Sequence, residues 1–372
     1  MELTLSEDQE LFHETTVRFI EAELPIAATR QLHDDPIGFE RPWWKSAAEL
    51  GWFTMLVPEE EGGGSVSGSG LIDATIIAEE VGRHVQPGPF IPTNIVALAV
   101  AEGGSADQKS ALLPQLMSGD TVAAWAFASV AGFWDLGAGL TATRDGRNLR
   151  LDGFRGFVQD AVDADVVLVV ADLAGETLEL LVPTSTPGLQ VRPLEGLDLS
   201  RRMSHINFDN VIVAASDAVS VDPDRLLQTA VVLNLADTVG AMDALMTMTV
   251  SYAKDRIAFG RPIGSFQALK HILADQALHL ETSKAGVASA ARALHSDDEN
   301  AAQVVSMVAA YVGDVADELA QMSLQIHGGI GYTWEHDLHL LMRRVRSNAA
   351  LYGTSTWHRE RVCALYEFGG PA

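Results

Sequence analysis

The chain is poor in cysteine, in positive charge and in leader-like sequence at its start. Its 372 residues include one cysteine, Cys363. That excludes an intrachain disulfide and fits a reducing compartment, so a cytoplasmic location is expected. Lysine and arginine total 25 against 50 aspartates and glutamates, a net charge of −25. Such a field repels nucleic acid and anionic membranes, and any anionic ligand must be held by a local basic cluster. The opening MELTLSEDQELF has no basic stretch followed by an apolar core, so no signal peptide is read there. The longest apolar stretch, Val231 to Val250, contains Asp237 and Asp243 and reads as a buried core helix, not a membrane span.

Apolar residues make up 47% of the chain and charged residues 20%, a globular composition with material for a sizeable core. The length suits two to three domains, or one domain with a large inserted module. Ser6 followed by Glu7, Asp8 and Gln9 predicts a helix start. Leu11, Val17, Ile20 and Leu24 continue it near helical spacing. A Gly- and Ser-rich loop is predicted from Pro58 to Gly70, helix again over LIDATIIAEEVGR, and another break from Pro87 to Pro92. From Thr121 to Val213 the texture changes to β-branched runs: LTAT, LRLDG, DVVLVVADL, LELLVP, LQVRPL and INFDNVIV, separated by Gly and Asp turns. The helical period returns at Asp222, interrupted by GRPIGSF and by the glycines near 328–331. The expected class is α+β: an α-helical domain over 1–118, a middle β-barrel or sandwich domain over 119–220, and a C-terminal helical bundle over 221–372.

Four stretches then occur in a telling order: LGWFTMLVPEEEGGGSV with AEEVGR, GLDLSRRMSHINFDNVIV, YAKDRIAFGRPIGSFQALKHILAD and QIHGGIGYTWEHDLHLLMRRVR. Each resembles a motif of the acyl-CoA dehydrogenase family. The resemblance implies an acyl-CoA dehydrogenase-like fold ending in a four-helix bundle. It also implies FAD as cofactor, an acyl-CoA substrate and an electron-transfer flavoprotein as acceptor. In that family a carboxylate removes a proton from the thioester Cα, while Cβ gives hydride to the flavin. The FAD is shared: one subunit holds the ring, its neighbour the pyrophosphate and adenosine. For the neighbour's half, Arg256 matches the arginine that clamps the pyrophosphate through its planar fork. Phe259 and Gln267 match positions that touch the cofactor. Gln325, Gly328 and Gly329 match the segment where bare backbone approaches the dinucleotide. Gly353 and Thr354 match the Gly-Thr after the catalytic position. A surface ion pair for Arg256 and a plain helix break for the glycines are the bland alternatives.

The flavin-ring half departs from the family pattern. Where Thr-Glu-Pro-Gly and Gly-Ser-Asp are usual, this chain has FASVAGFWD, with Ala128, Ser129 and Trp134 at the altered positions. The usual Trp-Ile-Thr-Asn reads Phe157-Val158-Gln159-Asp160, which loses the hydroxyl near the flavin. The usual catalytic glutamate is Tyr352 here, and the alternative position on an earlier helix is Ala230. A tyrosine, with an ordinary pKa of about 10, is a poor base for this proton. Asp237, seven residues after Ala230 and on the same helical face, is the substitute candidate if desolvation raises its pKa. A buried aspartate paired with an arginine is the blander reading. His271, His327, His336, His339 and His358 form no recognisable ligand spacing, so no metal is expected. LHLLMRRVR is basic and is either phosphate-holding or a solvated face. The leading expectation is a β-type subunit of a heterotetrameric acyl-CoA dehydrogenase, resembling those of steroid-degrading actinobacteria. It would lend its pyrophosphate side to an α-type partner that carries the base, acting on a bulky acyl group such as a steroid side chain. The alternatives are an active homo-oligomer using Asp237, and a structural subunit that binds no flavin.

Overall fold

Ser6 opens the first helix as its residue type predicts. Its hydroxyl accepts from the Gln9 amide at 3.2 Å, and Gln9 Oε1 accepts from the Ser6 amide at 3.1 Å. The computed structural model describes residues 5–129 and 139–366, so Trp134 lies outside the described residues. Six helices come first: α1 (Glu7–Glu23), α2 (Ile26–Gln31), α3 (Arg41–Glu49), α4 (Gly70–Arg83), α5 (Phe90–Gly103) and α6 (Ala106–Met117). Ile20 of α1 is buried but Leu11 is exposed, so only part of the predicted stripe faces the core. Helix α5 begins inside the predicted Pro87–Pro92 break. Pro92 sits in its first turn, where a missing N–H forfeits no helical bond.

The strands follow: β1 (Ala123–Ala126), β2 (Leu140–Asp145), β3 (Asn148–Gln159), β4 (Val166–Leu173), β5 (Glu176–Pro183), β6 (Leu189–Leu194), β7 (Met203–Ala214) and β8 (Ala218–Val219). They form one mixed sheet in the order β6-β7-β3-β2-β4-β5-β8, with β1 added parallel to β4. One face of these strands feeds a common cluster that includes Leu140, Leu151, Val169, Leu180, Val182 and Ile206. The alternation in β2, buried at Leu140 and Ala142 and exposed between them, follows from the period of two.

The rest is α7 (Pro223–Asp255), a short hairpin of β9 (Ile257–Ala258) and β10 (Arg261–Pro262), α8 (Gln267–His295), α9 (Ala301–His327), α10 (Leu338–Asn348) and α11 (Ser355–Leu365). Among the described residues α7 is the one helix long and apolar enough to cross a membrane, and 72% of that window is buried within the protein. It is a core helix, as its two acids suggested.

The chain packs as two compact units, one of residues 1–31, 75–86 and 231–372, the other of 32–74 and 87–230. In the first, α4 and α7 cross backbone against backbone. A Cβ on Gly82 would lie 1.8 Å from the Asp237 carbonyl oxygen, and one on Gly240 would lie 1.8 Å from that of Glu79. Only glycine permits that approach.

Candidate cofactor half-site and catalytic position

The helical unit assembles the predicted pyrophosphate residues around the end of α7. The Arg256 amide still bonds the Tyr252 carbonyl at 2.9 Å, and its own carbonyl accepts from Ile263 at 2.8 Å. This fixes the backbone where helix passes into hairpin. The Arg256 side chain is exposed and has no ion-pair partner among the described residues. Phe259 stands at the hairpin tip with φ +53 and is 94% exposed. Its ring meets Phe266 edge-on at 6.2 Å, and the Arg261 guanidinium lies 4.0 Å above Phe266.

Tyr252 ties this corner to the end of α9. Its ring stacks on His327 at 4.5 Å, and its hydroxyl donates to the His327 carbonyl at 3.4 Å. Gly328 and Gly329 follow directly. Gly328 has φ +61, and a Cβ built on either glycine meets nothing within 4 Å. Gln325 is exposed on the last turn of α9, and Gln267 is exposed at the start of α8. Arg256 thus offers a guanidinium without a counter-charge and Gly328-Gly329 an uncovered backbone, their two chain segments linked through the Tyr252–His327 contact. Nothing among the described residues neutralises the one or fills the space over the other.

Gly353 and Thr354 carry local structural duties. A Cβ on Gly353 would lie 2.6 Å from Trp357 and 2.8 Å from His358 Nε2, at φ +113. The Thr354 hydroxyl accepts from the Trp357 amide at 3.2 Å and caps α11.

Neither of the two residues that stand where the family's base is expected is charged. Tyr352 is buried with φ +59, and Ala230 is fully buried. Asp237 is buried too, with Oδ1 accepting from Arg344 Nε at 3.1 Å and from Asn348 Nδ2 at 2.7 Å. Arg344 also donates to the Gln86 carbonyl at 2.6 Å. Asn348 Nδ2 reaches Thr238 Oγ1 at 3.0 Å, and Asn234 donates to the Asn348 carbonyl at 3.0 Å. The carboxylate thus neutralises a guanidinium as deeply buried as itself. The partner comes from LHLLMRRVR, so that stretch is not simply a solvated basic face. Arg346 of the same helix pairs with Asp317 at 2.5 Å. The other acid of the apolar run, Asp243, pairs with Arg83 and lies 3.4 Å from Lys284.

The β unit holds the positions at which the sequence departs from the family pattern. Ala128 and Ser129 are buried, and the Ala128 carbonyl accepts from Gly156 at 3.1 Å. Phe157 is 42% exposed at φ +51, edge-on to His205 at 5.6 Å. Gln159 turns its amide inward, donating to Asp160 Oδ2 at 3.0 Å and the Gly88 carbonyl at 3.4 Å. Burial pushes the Asp160 carboxyl up to about 6 despite donors from Gln159 and the Arg202 backbone. Among the described residues no group of three histidine, cysteine or acidic side chains is placed to hold a metal ion.

The elements thus run as helices, then strands, then helices. The model of the acyl-CoA dehydrogenase N-terminal domain matches residues 6–120, and that of the C-terminal domain matches 226–365. The chain is 30% identical over 351 residues to acyl-CoA dehydrogenase IpdE2 of Mycolicibacterium smegmatis, covering 94% of this chain and 96% of that one. Its fold is similar to the ChsE4-ChsE5 complex from Mycobacterium tuberculosis, at TM-score 0.89 and 24% identity over the whole of both chains. It is also similar to a variant of the Tcur3481-Tcur3483 steroid acyl-CoA dehydrogenase, at TM-score 0.87 and 25% identity, covering 97% and 98% of the two chains. The chain belongs to the acyl-CoA dehydrogenase family, whose members are FAD-dependent oxidoreductases.

Proposed function

We propose that this chain is the β-type subunit of a heteromeric FAD-dependent acyl-CoA dehydrogenase. It lends the pyrophosphate and adenosine half-site to an α-type subunit that carries the catalytic carboxylate. The observation that carries this reading is the contrast within one unit. Arg256, Phe259, Gly328 and Gly329 are open and uncompensated, while the catalytic position is filled by buried Tyr352. Similarity to the paired chains of ChsE4-ChsE5 and of Tcur3481-Tcur3483 supports a partner of the same fold. The rival in which Asp237 serves as base would require it to release Arg344 and Asn348 first, leaving a buried guanidinium uncompensated.

In this reading FAD supplies the hydride-accepting chemistry. The residues of this chain that would hold it are Arg256, whose guanidinium would supply charge to its phosphates, the Gly328-Gly329 backbone, Gln325 and Gln267. Phe259 offers an apolar face, and Gly353 and Thr354 shape the adjoining turn. The substrate class is a bulky acyl-CoA, a steroid side-chain ester, and the reoxidant an electron-transfer flavoprotein.

The chain purified alone should be colourless. Purified with its α-type partner it should form a complex of two chains of each kind, with one FAD per pair, read from the visible flavin band and the solution mass. A lone chain that is yellow and is bleached by an acyl-CoA would overturn the reading. So would a partner whose flavin content does not change when this chain is added.

Arg256→Ala tests the half-site directly. Loss of a charge-assisted pair to phosphate, worth about 2 kcal/mol, should weaken FAD retention by the complex by roughly thirtyfold. The melting of the lone chain should hardly move, because the side chain is exposed. Unchanged flavin affinity in the complex would remove Arg256 from the site.

A further inference from the structure

We propose that a single water molecule occupies the cavity bounded by α7, α9 and α11, donating one hydrogen to Asn234 Oδ1 and the other to His358 Nδ1. The cavity lies wholly within the helical unit. It measures about 20 Å³, and Asn234, Thr238, Val312, Gly313, Ser355 and His358 are among the residues that line it. That is room for one water and little more, since one water needs about 10–15 Å³.

The polarity of the cavity selects the occupant. Asn234 is 4% exposed and its Oδ1 has no hydrogen-bond partner. Its amide orientation is fixed, because Nδ2 donates to the Asn348 carbonyl at 3.0 Å and a carbonyl can only accept. His358 is 3% exposed, and its Nδ1 likewise has no partner. The ring interacts with the Tyr352 backbone, and because Nδ1 has no partner we assign that contact to Nε2. The Tyr352 carbonyl accepts, so Nε2 carries the hydrogen. Burial, with Arg361 nearby, pushes the imidazole down to about 4, so it is neutral at neutral pH and Nδ1 presents a lone pair. Two buried acceptors therefore share a cavity, and a hydrogen bond between them is impossible. Leaving both unmet costs about 1–3 kcal/mol for each group. Water has the two hydrogens required and the size that fits; an anion would be repelled by both atoms.

The bridge joins α7 to α11 and continues through His358 to the Tyr352 carbonyl. It thereby braces the left-handed turn at Tyr352 and Gly353. The test is a crystal structure of the full chain, in complex with its partner if that is the form obtained, at a resolution that shows ordered solvent. One isolated peak about 2.7–3.2 Å from both Asn234 Oδ1 and His358 Nδ1 is expected. A cavity without density overturns the proposal, as does a peak that reaches only one of the two atoms. Independently, nitrogen-15 spectra of histidine-labelled protein at neutral pH should show His358 as the neutral Nε2–H tautomer, with His358→Gln used to assign the signal. The Nδ1–H tautomer or a charged ring would overturn it, since Nδ1 would then need an acceptor.

Discussion

Replacing Asp237 by alanine should destabilise the protein by about 3–5 kcal/mol without lowering turnover in the assembled complex. The mechanism is the Arg344 guanidinium, which is 1% exposed and loses its carboxylate counter-charge. Asn348 and, through it, Asn234 lose part of their ordering as well. In a unit of this size such a loss lowers the melting temperature by about 10 °C. Removing both charges with Asp237→Leu and Arg344→Met should restore a large share of it, because a well-packed apolar pair avoids the desolvation that a broken ion pair leaves behind. Asp237→Asn separates structure from chemistry. If Asp237 were the base, turnover would fall by about a hundredfold or more. In the present reading it stays within a few-fold while the melting temperature drops. A destabilisation below about 1 kcal/mol for Asp237→Ala would mean that Arg344 finds another counter-charge.

Glu179→Gln should stabilise the β unit at pH 8 and change it little at pH 5. Glu179 lies on β5, paired in register with Val170 and Val219, is 3% exposed, and neither carboxyl oxygen has a hydrogen-bond partner. Burial pushes its pKa up to about 8, with Asp222 adding to the effect. In the unfolded chain the group ionises near 4.5. Below that pH it is neutral in both states and has no effect. As pH rises from there to about 8 the unfolded state releases its proton while the folded state keeps it, so stability falls across that window. The full penalty is on the order of 4 kcal/mol, and an isosteric amide escapes it. Urea titrations of both proteins at several pH values give the comparison. Two parallel curves, with no convergence toward acid, would show that Glu179 is not held neutral by burial.

The predicted elements came from periodicity, and periodicity says which face a residue is on, not what stands opposite. Each of the six β-branched runs falls on a strand, from LTAT in β2 to INFDNVIV in β7. Strand β1 was not legible, because AAWA is buried at all four positions and so does not alternate. Ser6 and the two acids of α7 were legible because caps and buried charges are local or must be compensated. The identity of the compensator was not. Arg344 lies 107 positions from Asp237 and looked like part of a basic surface helix. A rule that an acid in an apolar run needs a cation would have asked for such a partner without naming it. Arg256 and the glycines were singled out by resemblance to a motif, and their openness is what the structure adds. The duties of Gly353 and Thr354 toward α11 were hidden for the opposite reason: the motif supplied one explanation, and the local packing supplies another.

The crossing of α4 over α7 has a consequence for how this chain can change by mutation. A side chain at Gly82 or Gly240 would collide with a carbonyl oxygen, not with another side chain. Shortening a neighbouring residue therefore makes no room, and a second substitution at Asp237 or Glu79 cannot rescue the first. Most core clashes can be repaired by a compensating partner. These two positions should behave differently: a saturation library selected for folding would return glycine alone at both, without suppressors elsewhere in either helix. Positions 230 and 352 would meanwhile drift among residues that merely fit.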